Sequence, residues 1–237
     1  MEERELILDI FEAVAGSRMM VNYFRFGGVV RDVPEPIIKK VRDLVYNRLE
    51  KKIDGMDRYL TENEIIRYRC EGVGVLTAEQ AIAFSVTGPL LRSSGVPYDI
   101  RRADPYGIYD QLDFDVCIRT HGDVYDRYLI RLDEMRQSLR ILKQVLSQIP
   151  EGPIMSGKNQ YTIRVPAGEM YGRVEGPRGE LGYYVVSDGK TNPKRYHVRA
   201  PSFINLTGLE AMCIGSKVAD AVTILGSVDI VLGEVDR

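Results

Sequence analysis

The stretch from Asp123 to Pro150 reads DVYDRYLIRLDEMRQSLRILKQVLSQIP and carries the clearest structural signal in the chain. Its apolar side chains recur at steps of three and four residues, the spacing that places them on one face of an α-helix. Asp123 stands where an acidic side chain can cap the first turn. Pro150 and Gly152 end the pattern, because proline cannot continue a helix. The sequence therefore predicts a long core-packing helix over residues 123–149.

This helix carries two pairs of arginines, each four residues apart: Arg127 with Arg131, and Arg136 with Arg140. Like charges at this spacing repel one another on a helix face. We therefore expect carboxylates on other segments to meet these arginines in buried ion pairs.

Three further helices are predicted before this one. The first contains Leu6–Val14 and stops at Gly16. The second follows two prolines and keeps one face apolar from Ile37 to Leu60. The third begins at Thr77, which has capping-box spacing to a glutamine three residues later, and it should end at Gly88-Pro89.

The remaining segments lack helical spacing. Residues 23–30 contain paired glycines after an aromatic pair and predict an extended turn, and residues 89–121 read as irregular. After residue 158 the apolar period changes to two, which is typical of strands. The predicted strands are 161–165, 170–175, 182–187 and 195–200, with turns at 176–179 and 188–189.

The fold class that follows is α+β. We expect a helical body from residues 1–157 and 205–237, with a small antiparallel sheet inserted at about 158–204, near the C-terminal third. No repeat, low-complexity tract or linker interrupts the chain, so one domain over residues 1–237 is the simplest interpretation.

Composition excludes several classes of protein. The chain has 237 residues, of which 44% are hydrophobic, and a formal net charge of -2. This balance provides no positive surface for nucleic acid. The longest apolar runs fall far short of the roughly 20 residues that span a bilayer, and the acidic start does not resemble a signal peptide. We expect a chain that stays on the cytoplasmic side without crossing the membrane.

Cysteine and histidine usage argues against a metal site. Cys70, Cys117 and Cys213 never form a Cys-x-x-Cys pair, and His121 and His197 stand alone. Neither a disulfide framework nor a zinc or iron-sulfur ligand set is predicted from such spacing.

The C-terminus carries the most specific motif, GSVDIVLGEVDR over Gly226–Arg237. It resembles the terminus of the quinone-reducing D subunit of the NADH-quinone oxidoreductase family, respiratory complex I. Further stretches resemble that family in the same order along nearly the whole chain. They include Tyr23–Val29, Tyr109–Val116, Gly122–Tyr128 and Glu134–Arg140.

The resemblance implies a fold like that of nickel-iron hydrogenase large subunits, to which the family is related. Those subunits carry a Cys-x-x-Cys pair at positions that Val231 and Glu234 occupy here. Neither residue can replace soft thiolates at nickel, so no metal is expected. The vacated site would be the inner end of a quinone cavity. Its expected residues are Asp229, Val231, Glu234, Asp236 and Arg237, although the acids and Arg237 could equally form a structural ion-pair cluster.

The resemblance also implies cofactors and partners. Quinone is the substrate, and flavin and iron-sulfur clusters lie in other subunits of an NADH:quinone oxidoreductase, a translocase. Expected partners are an iron-sulfur cluster subunit, a C-subunit-like protein and a membrane quinone-channel subunit, at the cytoplasmic face of the inner membrane. The family's N-terminal part, which contacts the quinone headgroup, is expected to be absent. We therefore expect no catalytic residue in this fragment and no activity from the isolated chain.

Two other functions remain open at this point. A non-catalytic scaffold would bind sister subunits without passing electrons to quinone. A hydrogenase-type subunit would need a metal centre, for which the cysteine pairs are missing.

Overall fold

A computed structural model describes residues 2–157 and 162–236 of the chain. It divides into two compact units, Met1–Gly55 with Ser138–Ile163 and Met56–Gln137 with Arg164–Arg237. They are called the first and second units. Helices and a small antiparallel sheet confirm the α+β class. The single domain over residues 1–237 stays a prediction.

The helices before residue 120 vary in length. They are α1 (Glu2–Ala15), α2 (Glu35–Asp43), a π-helical segment (Leu44–Leu49), α3 (Glu50–Leu60), α4 (Glu64–Cys70), α5 (Ala78–Ala83), α6 (Pro89–Ser93), α7 (Ile100–Ala103) and a 3-10 turn (Tyr109–Gln111).

The later helices are α8 (Val124–Gln148), α9 (Pro201–Asn205), a 3-10 turn (Leu206–Gly208), α10 (Leu209–Cys213), α11 (Val218–Val228) and α12 (Leu232–Val235). Among the residues that the structure describes, no helix has both the length and the apolar character needed to traverse a bilayer.

The first unit contains the N-terminal helix and a two-stranded hairpin. Helix α1 ends before Gly16, whose φ of 80° confirms the predicted stop. Arg18 folds back on the helix and its guanidinium pairs with the carboxylates of Asp9 and Glu12, at 2.6 and 3.1 Å. The predicted extended turn is the hairpin β1 (Phe24–Arg25) and β2 (Gly28–Val29).

The long predicted helix begins after Pro34 and runs without a break through α2, the π-helical segment and α3. The π segment has no separate signature in the apolar spacing. Leu44 and Val45 in the π segment and Ile53 in α3 are buried, which confirms the middle of the predicted apolar face. Met56 and Leu60, at its end, are exposed.

Helix α8 confirms the clearest prediction. The Asp123 carboxylate accepts hydrogen bonds from the backbone N–H of Asp126 at 2.7 Å and of Gly72 at 2.8 Å. One acidic side chain therefore caps the helix and ties its start to the loop after α4, both within the second unit.

The predicted sheet is also confirmed. Strand β4 (Gly179–Ser187) is central and pairs antiparallel with β3 (Gly168–Gly176) and with β5 (Arg195–Arg199). The strand expected at 161–165 is wrong for its described part, because residues 162–165 pair with no neighbouring strand. Alternation alone does not make a strand when no partner edge is provided. Tyr161 lies outside the described residues.

The segment after Thr77 needs a correction. Thr77 and Gln80 form the predicted capping box, but α5 ends at Ala83 rather than at Gly88-Pro89. The glycine and proline instead begin α6, because proline is favoured at the first helical position. The region 89–121, predicted to be irregular, accordingly contains α6, α7 and the 3-10 turn.

The second unit closes around an apolar core that includes Leu76, Leu90, Met212 and Ile224. The turn between β3 and β4 approaches the start of α6 very closely. A Cβ atom added to Gly88, at φ 72°, would lie 2.5 Å from Cα of Gly179. Only glycine permits this contact, which seats the sheet against the helical part of the unit.

Candidate functional site

The C-terminal segment begins where α11 ends. Asp229 adopts the left-handed conformation, with φ 59° and ψ 49°, and its N–H donates to the carbonyl of Gly226 at 3.2 Å. Helices commonly end on such a residue, and aspartate tolerates this backbone better than most side chains. The chain changes direction here and presents Val231 before α12.

Ser202, at the start of α9, hydrogen-bonds to both ends of the segment from Val231 to Glu234. Its hydroxyl accepts from the N–H of Val231 at 3.4 Å and donates to the Glu234 carboxylate. The same carboxylate accepts from the Ser202 N–H at 3.2 Å. Because Ser202 is only 1% exposed, these bonds fix the short helix α12 to the interior of the second unit.

Arg178, in the turn between β3 and β4, holds Asp229. Its Nε atom donates to the Asp229 carbonyl at 2.6 Å and lies 3.7 Å from a carboxylate oxygen of the same residue. The Arg178 carbonyl in turn accepts from the Asn205 amide at 3.0 Å. The sheet and α9 therefore both support the end of α11.

Two arginines of α8 approach α11 from inside the unit. Arg127 is fully buried and donates to three neutral oxygens: Ser227 Oγ at 2.9 Å and the carbonyls of Gly122 and Gly74 at 2.8 Å each. Arg131 donates to the carbonyl of Ser227 at 2.7 Å. These positive charges complement the carbonyl end of α11.

The predicted buried ion pairs are therefore wrong for Arg127 and Arg131, since carbonyl groups and a hydroxyl take the place of carboxylates. Arg136 does pair with Asp57, at 2.5 Å, but its side chain is 40% exposed. Burial, reinforced by Arg131, lowers the pKa of Arg127 to about 10. Burial also lowers the pKa of Arg131, although Asp229 acts in the opposite direction. Both remain cations at neutral pH.

Three of the five expected site residues come together in this arrangement: Asp229, Val231 and Glu234. Asp236 follows α12 and is exposed, and Arg237 lies outside the described residues. Val231 and its neighbour Leu232 are 41% and 73% exposed, so this segment is an open apolar strip. Two cavities, of 670 and 420 Å³, are lined by residues of the first unit and do not involve this strip.

Metal-binding side chains are scattered rather than clustered. Across residues 2–157 and 162–236, no three side chains of histidine, cysteine, aspartate or glutamate are grouped to hold a metal ion. Cys70, Cys117 and Cys213 are free thiols. Burial raises the pKa of Cys117 to about 11 and raises that of Cys70 as well, so neither provides a thiolate at neutral pH.

Sequence comparison shows the family to which the chain belongs. The model of the respiratory-chain NADH dehydrogenase, 49 Kd subunit, matches residues 1–164 and 158–237. The chain belongs to this family.

Comparison with individual relatives supports the same family. The NADH-quinone oxidoreductase D 1 subunit of Roseiflexus sp. (strain RS-1) is 57% identical over 245 residues, covering 100% of this chain and 65% of the relative. The D subunit of the same enzyme from Dehalococcoides mccartyi (strain ATCC BAA-2266 / KCTC 15142 / 195) is 51% identical, covering 99% and 64%. The NAD(P)H-quinone oxidoreductase H 1 subunit of Gloeobacter violaceus (strain ATCC 29082 / PCC 7421) is 46% identical, covering 99% and 65%. The chain thus spans slightly less than two thirds of these relatives.

In this member of the 49 Kd subunit family, local sequence patterns do not indicate the residues that hold the terminal segment. Ser202 lies between the strand predicted at 195–200 and the helical region predicted from 205, and no motif marked it. Arg178 lies in a turn that was correctly predicted, yet its side chain carried no signal. Their partners lie 32 and 51 residues away along the chain, beyond the reach of local patterns.

Proposed function

We propose that this chain belongs to an NADH:quinone oxidoreductase assembly and supplies one wall of its quinone chamber. The carrying observation is the terminal segment, where an apolar Val231 is presented between the anchored residues Asp229 and Glu234. A quinone ring needs a mostly apolar slot with a few placed polar groups. Family membership supports a quinone, rather than another apolar ligand, as the occupant of this slot.

The polar groups at this wall suit a ligand that gains negative charge. Reduction of a quinone adds two electrons and two protons. The buried Arg127 and the half-buried Arg131 lie behind the end of α11, and their positive charges favour electron density nearby. Asp229, Glu234, Asp236 and Arg237 are the candidate proton-handling groups. No catalytic role is assigned to them individually.

The open position of Val231 implies that other surfaces complete the chamber. With 41% of Val231 exposed, this chain alone does not enclose a ligand. The opposite walls would come from the part of the relatives that this chain does not span and from sister subunits. We propose an iron-sulfur cluster subunit, a C-subunit-like protein and a membrane quinone-channel subunit as those partners. Their flavin and iron-sulfur clusters would supply the electrons, and the chain would lie peripherally at the cytoplasmic side of the inner membrane.

The test is Val231→Phe in the assembled oxidoreductase. The added ring should fill part of the slot and raise the quinone KM and the inhibitor concentration for half inhibition several-fold, while the composition of the assembly stays the same. Val222→Phe is the matched control, because Val222 is also exposed and apolar but lies earlier in α11. Unchanged quinone KM and inhibitor sensitivity in Val231→Phe would remove the chamber assignment and favour a scaffold.

A further inference from the structure

The two faces of the three-stranded sheet have opposite chemistry. Antiparallel pairing places directly opposed side chains on the same face. Met170, Val185 and Tyr196 are opposed across the three strands, and Val174 is opposed to Leu181. Together with Tyr183 they form one face, here called the outer face. No position on that face of the three strands is charged.

The other face is polar and packs on the helical part of the second unit. Arg173 donates to the hydroxyl of Tyr98 at 3.1 Å, and Glu175 pairs with Arg92 at 2.8 Å. Arg199 donates to the carbonyl of Ser85 at 2.9 Å. The charged face of the sheet is thus covered at Arg173, Glu175 and Arg199. At its far end, Glu169, Arg195 and His197 are exposed.

This arrangement reverses the usual pattern, in which an antiparallel sheet covers its apolar face and exposes its polar face. On the outer face, Met170 is 76% exposed, Tyr196 66% and Tyr183 49%. A contiguous exposed apolar patch of this kind commonly marks an interaction site. The aromatic and methionine side chains are also those enriched at protein interfaces.

We propose that the outer face is a docking surface for a sister subunit of the oxidoreductase assembly. From strand lengths of nine, nine and five residues, it covers about 400 Å² at roughly 3.3 Å per residue and 4.8 Å between strands. A second copy of this chain seated there would bury only about half of the roughly 800 Å² per partner of a stable dimer. The occupant is therefore a protein that is also held elsewhere in the same assembly.

The border of the face indicates the chemistry of that partner. The loop between β4 and β5 carries Lys190 and Lys194 against a single acid, Asp188, which pairs with Lys190 at 3.2 Å. Lys194 therefore leaves the loop with a net positive charge. A complementary surface has an apolar centre with carboxylates beside this loop. The inference rests on assembly membership in the proposed function, and it is independent of the quinone chamber.

The experiment replaces Tyr196 by a photo-cross-linking benzoylphenylalanine and purifies the whole assembly. Irradiation should join this chain to one co-purifying subunit, with a yield at least several-fold above that from the same group at Ile65. Ile65 is the matched control, since it is 73% exposed, apolar and in the same unit. A second variant, Met170→Glu with Tyr196→Glu, should reduce recovery of the chain with the assembly several-fold while its thermal midpoint changes little.

Other outcomes would overturn the proposal. These are equal cross-linking from positions 196 and 65, cross-links only between two copies, or normal recovery of the double variant. Binding of the chain to vesicles of phosphatidylglycerol and phosphatidylcholine, lost in the double variant, would assign the face to a membrane instead. Failure of the unaltered chain to co-purify with any subunit would reject the proposed function as well. A failed cross-link combined with altered inhibitor sensitivity in Val231→Phe would reject the docking surface alone.

Discussion

Arg92 and Arg127 are both fully buried in the second unit, yet their surroundings differ in charge. Arg92 lies within 3.7 Å of three carboxylates: Glu134, Glu175 and Asp99. Arg127 donates to a hydroxyl and two carbonyl groups. Burial alone would lower both pKa values, but Glu134 and Glu175 outweigh it for Arg92 and raise its pKa.

The difference separates a cluster in which carboxylates compensate the positive charge, at Arg92, from a positive charge bonded to neutral oxygens, at Arg127. At Arg92 the positive charge is matched, and the pairs fasten α6 to α8 and to β3. Among residues 2–157 and 162–236, no carboxylate forms an ion pair with Arg127, and the charges of Asp123 and Asp126 offset its burial only in part. The positive charge therefore acts on the end of α11, where its Nε donates to Ser227. A buried charge of the first kind holds the fold together, whereas the second kind can act on a ligand.

The largest expected effect comes from Arg92→Met. The substitution leaves Glu175 and Asp99 buried with less compensation, which costs about 3–5 kcal/mol of the free energy of unfolding. Denaturant unfolding of the chain, monitored by circular dichroism, measures it. Arg67→Met is the control: its pair with Glu71 is exposed, so a loss within about 0.5 kcal/mol is expected.

A second substitution tests whether the loss of stability in Arg92→Met comes from uncompensated carboxylates. Adding Glu175→Gln to Arg92→Met removes one of the orphaned charges and should recover part of the lost stability. If it recovers nothing, or if Arg92→Met is as mild as Arg67→Met, then the cluster is not held by charge compensation.

Arg127→Met should have a smaller effect, on the order of 1 kcal/mol, because the abandoned partners are neutral. Methionine fills similar space, and two of the three oxygens keep another hydrogen bond: Ser227 Oγ donates to Ile224, and the Gly122 carbonyl accepts from Leu76. The same unfolding measurement applies. A loss of unfolding free energy equal to that of Arg92→Met would show that charged and neutral partners make no difference between the two sites.

The elements of this comparison were predictable to different degrees. Apolar spacing indicated α8, the helix after Pro34 and the three paired strands, because burial imposes a period on local sequence. The motif at Gly226–Arg237 identified the family and brought Asp229, Val231 and Glu234 forward as candidates. Spacing could not show that Arg127 bonds to neutral oxygens, since Ser227 lies 100 residues away. It also favoured a strand at 161–165, where no partner edge is present in the described part.

The smallest effect concerns Tyr171, a neutral side chain that donates a hydrogen bond to a carboxylate. Its hydroxyl donates to Glu180 at 2.6 Å on the charged face of the sheet. Burial and this hydrogen bond raise the pKa of Tyr171 to about 12. A raised folded-state pKa means that the stabilisation is complete below the unfolded value of about 10 and is lost as the pH rises towards 12.

Tyr171→Phe should therefore cost about 1 kcal/mol or less at pH 8, given that the side chain is 44% exposed. Above pH 10 the gap between the two proteins should narrow, because only the unaltered chain has this proton to lose. Unfolding curves at pH 8, 10 and 11 measure that gap, with Tyr183→Phe on the outer face as the control. A gap that stays constant over this range would mean that the Glu180 carboxylate does not depend on the neutral hydroxyl. The distinction between matched and unmatched buried charge would then rest on the arginines alone.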